Sequence, residues 1–379
     1  MGGYIMKKLL SLVMVFTLVV FSFAAGHIDL ANGTYRAEMV EASHGWVDFV
    51  ELTVKDGKIA DVLMDSYNVE DGSLKSNDAN YAKNMGMDPE KYFGELAKDL
   101  EKSQNIDEVD TVTGATHSSD NFRALVKGIL ERGVTDGTIA VNVLAYNKAD
   151  GTYRAEATEP IHGWTDFLEI TVKNGKITKV VADAFNADGG LKTKDPNYAK
   201  NMGMDPAKFF ATLADRLVKA DRPADVDTVT GATSSSDAVR FLAHAIKYRG
   251  VPGETIKVNF SNFAASNLPD GEYRAEMAEA EHGWTDFLEI TVKNGIIVDA
   301  YADAFNANGG LKTDDPVYAK NMGMEPSRFY SVLSYRVIAE QSASEVDTFT
   351  GASGSSANVK NLLSGIIENG KPGKTIKVK

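Results

Sequence analysis

FLEITVKNGKITKVVADAF, residues 167–185, alternates apolar and polar side chains on either side of Asn174-Gly175. Period-two alternation around an Asn-Gly pair predicts two antiparallel strands joined by a tight hairpin. GTYRAE, residues 151–156, precedes it and supplies a third strand. Downstream the period changes. PNYAKNMGMD, residues 196–205, reads as a short helix broken near Gly203, and PAKFFATLADRLVKA, residues 206–220, as a longer helix with proline in its first turn. Farther on, Val239, Leu242, Ala243 and Ile246 recur at helical spacing until Gly250 stops the run, as Phe122, Leu125, Val126, Ile129 and Leu130 do before Gly133. Strands followed by helices predict an α+β fold.

The same plan is written three times. The openings are NGTYRAE (32–38), DGTYRAE (150–156) and DGEYRAE (270–276). HGWVDF (44–49) and two copies of HGWTDFLEITVKNG (162–175, 282–295) follow, then YAKNMGM from Tyr81, Tyr198 and Tyr318. Each copy ends on a short segment, GTIAVNV (137–143), GETIKVN (253–259) or GKTIKVK (373–379). Arg36, Arg154 and Arg274 lie 118 and 120 positions apart. A period that long predicts three tandem small domains rather than a stacked solenoid. Each domain is expected to be an antiparallel sheet packed with helices, over residues 30–143, 150–260 and 270–379. Residues 144–149 and 261–269 are the linkers.

Composition narrows the function. The formal net charge of −13 offers no basic face for nucleic acid, and the absence of cysteine excludes disulfides, thiolate metal sites and iron–sulfur ligation. Lys7 and Lys8 precede an apolar run over residues 9–23 that ends in Ala24, Ala25 and Gly26, which is the pattern of a signal peptide over residues 1–25. The alternative is a short uncleaved anchor. Either predicts a protein outside the cytoplasmic membrane, at the cell surface, in a periplasm or released.

Between the second and third predicted helices of each unit stands one more repeat: DTVTGATHSSD (110–120), DTVTGATSSSD (227–237) and DTFTGASGSSA (347–357). It places a hydroxyl on the turn that opens a helix, where backbone N–H groups are unpaired and the helix dipole is positive, so a phosphate on that hydroxyl would be held by both. A plain helix cap is the competing reading. Asp110, Asp227 and Asp347 at a fixed offset, with the second hydroxyls Thr113, Thr230 and Thr350, are more than a cap needs. Gly114, Gly231 and Gly351, with Ala115, Ala232 and Ala352, would leave the approach open to a bulky group.

This Asp-x-x-Thr-Gly-Ala-Thr/Ser pattern resembles the flavinylation motif of FMN-binding domains, in which a flavin transferase links FMN by phosphoester to the last hydroxyl residue. The wider frame, HGW followed by VKNGKI, DAFNADGGLKTKD and the Tyr and Met positions, is similar to extracellular electron-transfer proteins that carry several such flavins. The resemblance covers nearly all of the chain after residue 26. It implies covalent FMN on Thr116, Thr233 and Ser353, a flavin transferase for maturation, a membrane-associated electron donor and an external electron acceptor. The third unit departs from the pattern in having Ser353 and Gly354 where the others have threonine followed by His117 or Ser234. Trp46, Trp164 and Trp284 are candidates to lie against the flavin, and His44, His162 and His282 to hydrogen-bond it; core and turn roles compete. The paired methionines, such as Met85 and Met87, could pad the ring, and Arg36, Arg154 and Arg274 could face the phosphate. Two other functions stay open: a non-redox surface protein whose repeats bind partners, and a flavin-dependent reductase.

Overall fold

The computed structural model describes residue 28, residues 30–220 and residues 222–379; the segment read as a signal peptide lies outside these residues. The first unit runs β1 (Gly33–Met39), β2 (Trp46–Lys55), β3 (Lys58–Asn68), α1 (Ala79–Met85), α2 (Pro89–Ser103), α3 (Thr116–Arg132) and β4 (Thr138–Val141), followed by the short helix α4 (Val143–Tyr146). The second runs β5 (Gly151–Ala157), β6 (Thr165–Lys173), β7 (Lys176–Phe185), α5 (Tyr198–Met202), α6 (Pro206–Lys219), α7 (Thr233–Arg249) and β8 (Thr255–Val258). The third runs β9 (Gly271–Met277), β10 (Trp284–Lys293), β11 (Ile296–Asn306), α8 (Tyr318–Met322), α9 (Pro326–Glu340), α10 (Ser353–Asn369) and β12 (Thr375–Val378).

The α+β architecture in three repeated domains is as the sequence predicts, with one change to the sheet. The strand order is β3-β2-β1-β4 and its two equivalents, and the fourth strand lies parallel to the first, with Arg36 beside Thr138, Arg154 beside Thr255 and Arg274 beside Thr375. The sheets are therefore mixed rather than purely antiparallel. A parallel neighbour needs a long crossover, and here the crossover is the whole helical half of the unit. The hairpin turns are tight because both central residues take positive φ: 51° at Asn174 and 69° at Gly175.

Each sheet lays one face on its helices. In the second unit Tyr153 and Ala155 of β5 and Leu168, Ile170 and Val172 of β6 bury against Phe209, Phe210 and Leu213 of α6 and Leu242 and Ile246 of α7. On the opposite face Arg154 pairs with Glu156 and Glu169 at 2.7 Å and lies over the Phe167 ring; Arg36 and Arg274 repeat the arrangement. These arginines knit the outer faces and are occupied there.

The units do not stand apart. Ala140 and Ala145 of the first and Tyr248 of the second belong to the same buried cluster as the third unit's core. Arg328 donates to the carbonyls of Met39 and Val40 at 2.7 Å, Lys247 pairs with Glu131 at 2.8 Å, and His244 Nε2 donates to the Ile338 carbonyl at 2.9 Å. Nor are the linkers slack: the first forms α4 and buries Ala145, while the second buries Phe263 and Ala265. Among the described residues no helix is long and apolar enough to cross a membrane.

Candidate functional site

The repeated hydroxyl stretch forms the same loop in each unit. Gly114, Gly231 and Gly351 take φ of 85°, 82° and 90°, and the next residue, an alanine, precedes a 17-residue helix. Thr116, Thr233 and Ser353 are thus the first helical residues and not the caps. Among the described residues none of their hydroxyls enters a hydrogen bond, and all three residues are exposed. The first intrahelical bonds come from Ser119, Ser236 and Ser356, whose N–H groups donate to the carbonyls of Ala115, Ala232 and Ala352 at 2.9 Å. The N–H groups of the three residues before each of these serines have no partner within the helix, as at any helix start.

Another hydroxyl does the structural work that capping would do. Buried Ser119 donates through Oγ to the Ala115 carbonyl (2.9 Å) and accepts from the Val112 N–H (3.1 Å), which ties the loop to the helix. Ser236 does so with Ala232 and Val229, and Ser356 with Ala352 and Phe349. Stabilisation of the loop is thereby separated from the exposed hydroxyl, which stays free for chemistry.

The other predicted positions divide. Thr113, Thr230 and Thr350 and the side chains of Asp110, Asp227 and Asp347 are exposed on the loop. The glycines make room for a methionine: a Cβ on Gly114 or Gly231 would lie 2.4 Å from the sulfur of Met87 or Met204, and one on Gly351 would lie 2.6 Å from Met324 Cε. Ala115, Ala232 and Ala352 turn into the core. One methionine of each pair therefore packs under the loop; the others, Met85, Met202 and Met322, are exposed at 63%, 63% and 64%. His44, His162 and His282 sit exposed at positive φ (53°, 52° and 51°) on the two-residue turn with Gly45, Gly163 and Gly283. In the first unit the Ser43 and Trp46 backbones bond across that turn at 2.8 and 3.0 Å. The histidines are turn residues, and among the described residues no hydrogen bond or ion pair joins them to the hydroxyl loop.

The tryptophans are half-buried at the start of β2, β6 and β10, on the helix-facing side, and they lead to residues that sequence reasoning missed. A buried lysine from the turn after the hairpin, a 3₁₀ turn in the first two units, lies over each indole: Lys75 over Trp46 at 5.3 Å, Lys192 over Trp164 at 5.6 Å and Lys312 over Trp284 at 5.7 Å. Tyr81, Tyr198 and Tyr318 close the box, each edge-on to its tryptophan and 5.1–5.6 Å from the lysine. Burial holds all three ammonium groups below the usual lysine value, while the buried carboxylates Asp48, Asp166 and Asp286 pull them back up. Asp65, Asp183 and Asp303 fix the turn that carries the lysine by accepting from Ser76, Thr193 and Thr313. The only signal for this box was repetition, since the GSLKS, GGLKTKD and GGLKTDD stretches fall at matching places.

The box is joined to the hydroxyl helix. Asn121 of α3 donates to Asp48 Oδ2 at 2.8 Å and approaches His117 Nε2 at 3.3 Å, one residue from Thr116. In the third unit Tyr330 donates to Asp286 Oδ1 at 2.5 Å and lies 3.4 Å from Ser355 Oγ, two residues from Ser353. Among the described residues two buried acceptors, Asn121 Oδ1 and Asp166 Oδ1, have no partner.

Such a site suits a phosphorylated aromatic cofactor. It offers a helix start for an anion, a free hydroxyl beside it, and a buried cation with aromatic edges alongside. Comparison with known proteins agrees. The family model described as the FMN-binding domain matches residues 45–131 and 163–246. The 15 kDa lipoprotein of Treponema pallidum is 42% identical over 119 residues, 30% of this chain and 84% of that protein. A crystal structure of a Clostridium perfringens protein shares 30% identity over 30% of this chain and 99% of that one, with a TM-score of 0.28. The chain belongs to the FMN-binding domain family and carries that domain as a repeat.

Proposed function

We propose that the protein is an electron carrier of the cell envelope that holds FMN by phosphoester on Thr116, Thr233 and Ser353. The observation that carries this reading is the exposed, unbonded hydroxyl on the first residue of each 17-residue helix, left free because a buried serine three residues on ties the loop. Free N–H groups and the positive helix end stabilise a phosphate there, by roughly 0.3–1 kcal/mol from the dipole alone. Attachment forms a bond from the hydroxyl oxygen to phosphorus and breaks one phosphorus–oxygen bond of the flavin phosphate donor, whose leaving oxygen departs with the hydroxyl proton, so each site gains one FMN less one water. The Lys75, Lys192 and Lys312 ammonium groups place positive charge where extra electron density is to be stabilised. FMN supplies the redox chemistry, and the protein supplies position and electrostatics.

Three sites in one chain suit a relay from a membrane-associated donor to an external acceptor. The lipoprotein named among the relatives supports a place at the cell envelope. Covalent attachment keeps a cofactor that dilution outside the cell would remove. The test is intact mass after production with and without a flavin transferase. Up to three additions, present only with the transferase and retained on denaturation, are expected. A chain without additions in the presence of active transferase overturns the proposal.

A further inference from the structure

One carboxyl distinguishes the middle unit. Asp48, Asp166 and Asp286 occupy the same place on β2, β6 and β10, and each is only 4% exposed. In the first unit Ser66 and Asn121 donate to Asp48; in the third Tyr330 and Asn358 donate to Asp286. The second unit has Ala184 where Ser66 stands, Ala238 where the asparagines stand and Phe210 where Tyr330 stands. Every one of these donors has been replaced by a hydrocarbon, and Asp166 Oδ1 is left buried with no partner.

A buried carboxylate without donors is costly, and such a group lowers the cost by holding a proton. The groups facing Asp166 are Lys192 from the 3₁₀ turn, Asp183 from β7 and Tyr198 from α5; α6 and α7 present Phe210 and Ala238, which carry no charge. Burial pushes the Asp166 carboxyl up to about 6, and Asp183 adds to the rise against the opposing charge of Lys192.

Resting on the FMN reading above, we propose that Asp166 is a proton-binding site peculiar to the middle domain. Its carboxyl takes a proton from solvent when negative charge builds at the adjoining cofactor and returns it when that charge leaves. One O–H bond forms at Asp166 and none in the protein breaks. The electrons come from an external donor, for which dithionite, oxidised to sulfite, stands in.

The test has two arms. In the full-length, flavin-free chain, carboxyl-carbon NMR follows the signal that Asp166→Asn removes. It is expected to titrate well above the ordinary carboxylate range, and to fall back when donors are restored by Phe210→Tyr with Ala238→Asn. Titration in the ordinary range overturns the proposal. In the second arm the chain keeps Thr233 as its one acceptor, through Thr116→Ala and Ser353→Ala. Proton uptake on dithionite reduction is counted near pH 7, with and without Asp166→Asn. The native carboxyl is expected to add up to one proton per reduced chain; equal counts overturn the proposal. A chain that fails to load in the second arm breaks the FMN reading instead, and the first arm still decides whether Asp166 holds the proton.

Discussion

The hydroxyl loops and the carboxyl pockets beneath them have diverged to different degrees. Each loop keeps a glycine at positive φ over a methionine, an alanine in the core, a hydroxyl on the first helical residue and a buried serine tying the turn. The pockets keep the lysine, tryptophan and aspartate but change the donors around the aspartate in every copy. A loop that presents one atom to a modifying enzyme, as proposed, would tolerate little change. The carboxyl environment sets charge and proton affinity, and it can be altered in each copy without losing the fold. On the proposed function, attachment and tuning reside in different residues.

The largest test of that division is Thr233→Ala. It is expected to abolish loading at the middle site, reducing a three-flavin chain to two by intact mass. Because Thr233 is a first helical residue with no cap bond, the change should cost stability less than about 0.5 kcal/mol, well below the ~1 kcal/mol of a lost cap. Thr230→Ala should leave loading nearly intact. Full loading of the first variant, or loss in the second, would put attachment elsewhere on the loop.

A second test uses stability, where the three pockets should differ in sign. Burial raises the folded-state value of Asp166 from the ordinary 3.8 to about 6, so its contribution is fully present below pH 4 and is lost as pH rises through 6. Asp166→Asn should therefore stabilise the protein near pH 7, by on the order of 1–3 kcal/mol, and flatten that part of the pH profile. Asp48→Asn and Asp286→Asn disturb bonded acceptors and should destabilise by about 1–3 kcal/mol. Denaturant midpoints from pH 4 to 7 decide it; the same sign in all three would erase the contrast between pockets.

A smaller effect is expected at the loop tie. Ser236→Ala removes the acceptor of the Val229 N–H and the donor to the Ala232 carbonyl, at a cost of roughly 1–2 kcal/mol. Loading at Thr233 should slow without stopping, as followed by peptide mapping over time. Unchanged loading would show that the loop is ordered by the transferase rather than by its own serine.

Much of this was legible in the sequence. The Asn174-Gly175 hairpin, the break at Gly203 and the stop at Gly250 follow from local rules, and their residues carry those rules visibly. The parallel fourth strand was marked as a closing segment but not paired. Its four residues hold no local signal, and its partner lies about a hundred positions earlier. Lysine is a surface residue by default, and the burial of Lys192 arises from a tryptophan just before β6, a tyrosine on α5 and a phenylalanine on α6. The Ser and Asp residues after Thr233 have the composition of N-cap residues, but Ser236 stands one turn inside the helix, which gives it the structural bond that Thr233 lacks.

The smallest expected effect concerns the one loop that does differ. Ser353 keeps the hydroxyl at the first helical position but lacks the methyl that narrows a threonine's rotamers, and Gly354 follows it with open space where a Cβ would stand. Neither change removes the free N–H groups or the Ser356 tie, so attachment chemistry is preserved. Both widen the conformations that must be narrowed before the hydroxyl can attack, and that entropy falls on the transferase step. Ser353 should therefore load more slowly than Thr116 or Thr233, by a few-fold if about 0.5–1 kcal/mol of ordering is involved. Two-flavin chains should then accumulate when transferase is limiting. Peptide mapping over a time course, set beside a Ser353→Thr plus Gly354→Ser double variant, measures the difference. If all three sites load at one rate and the double variant gains nothing, the loops are kinetically equivalent, and the differences among the units lie in the carboxyl pockets alone.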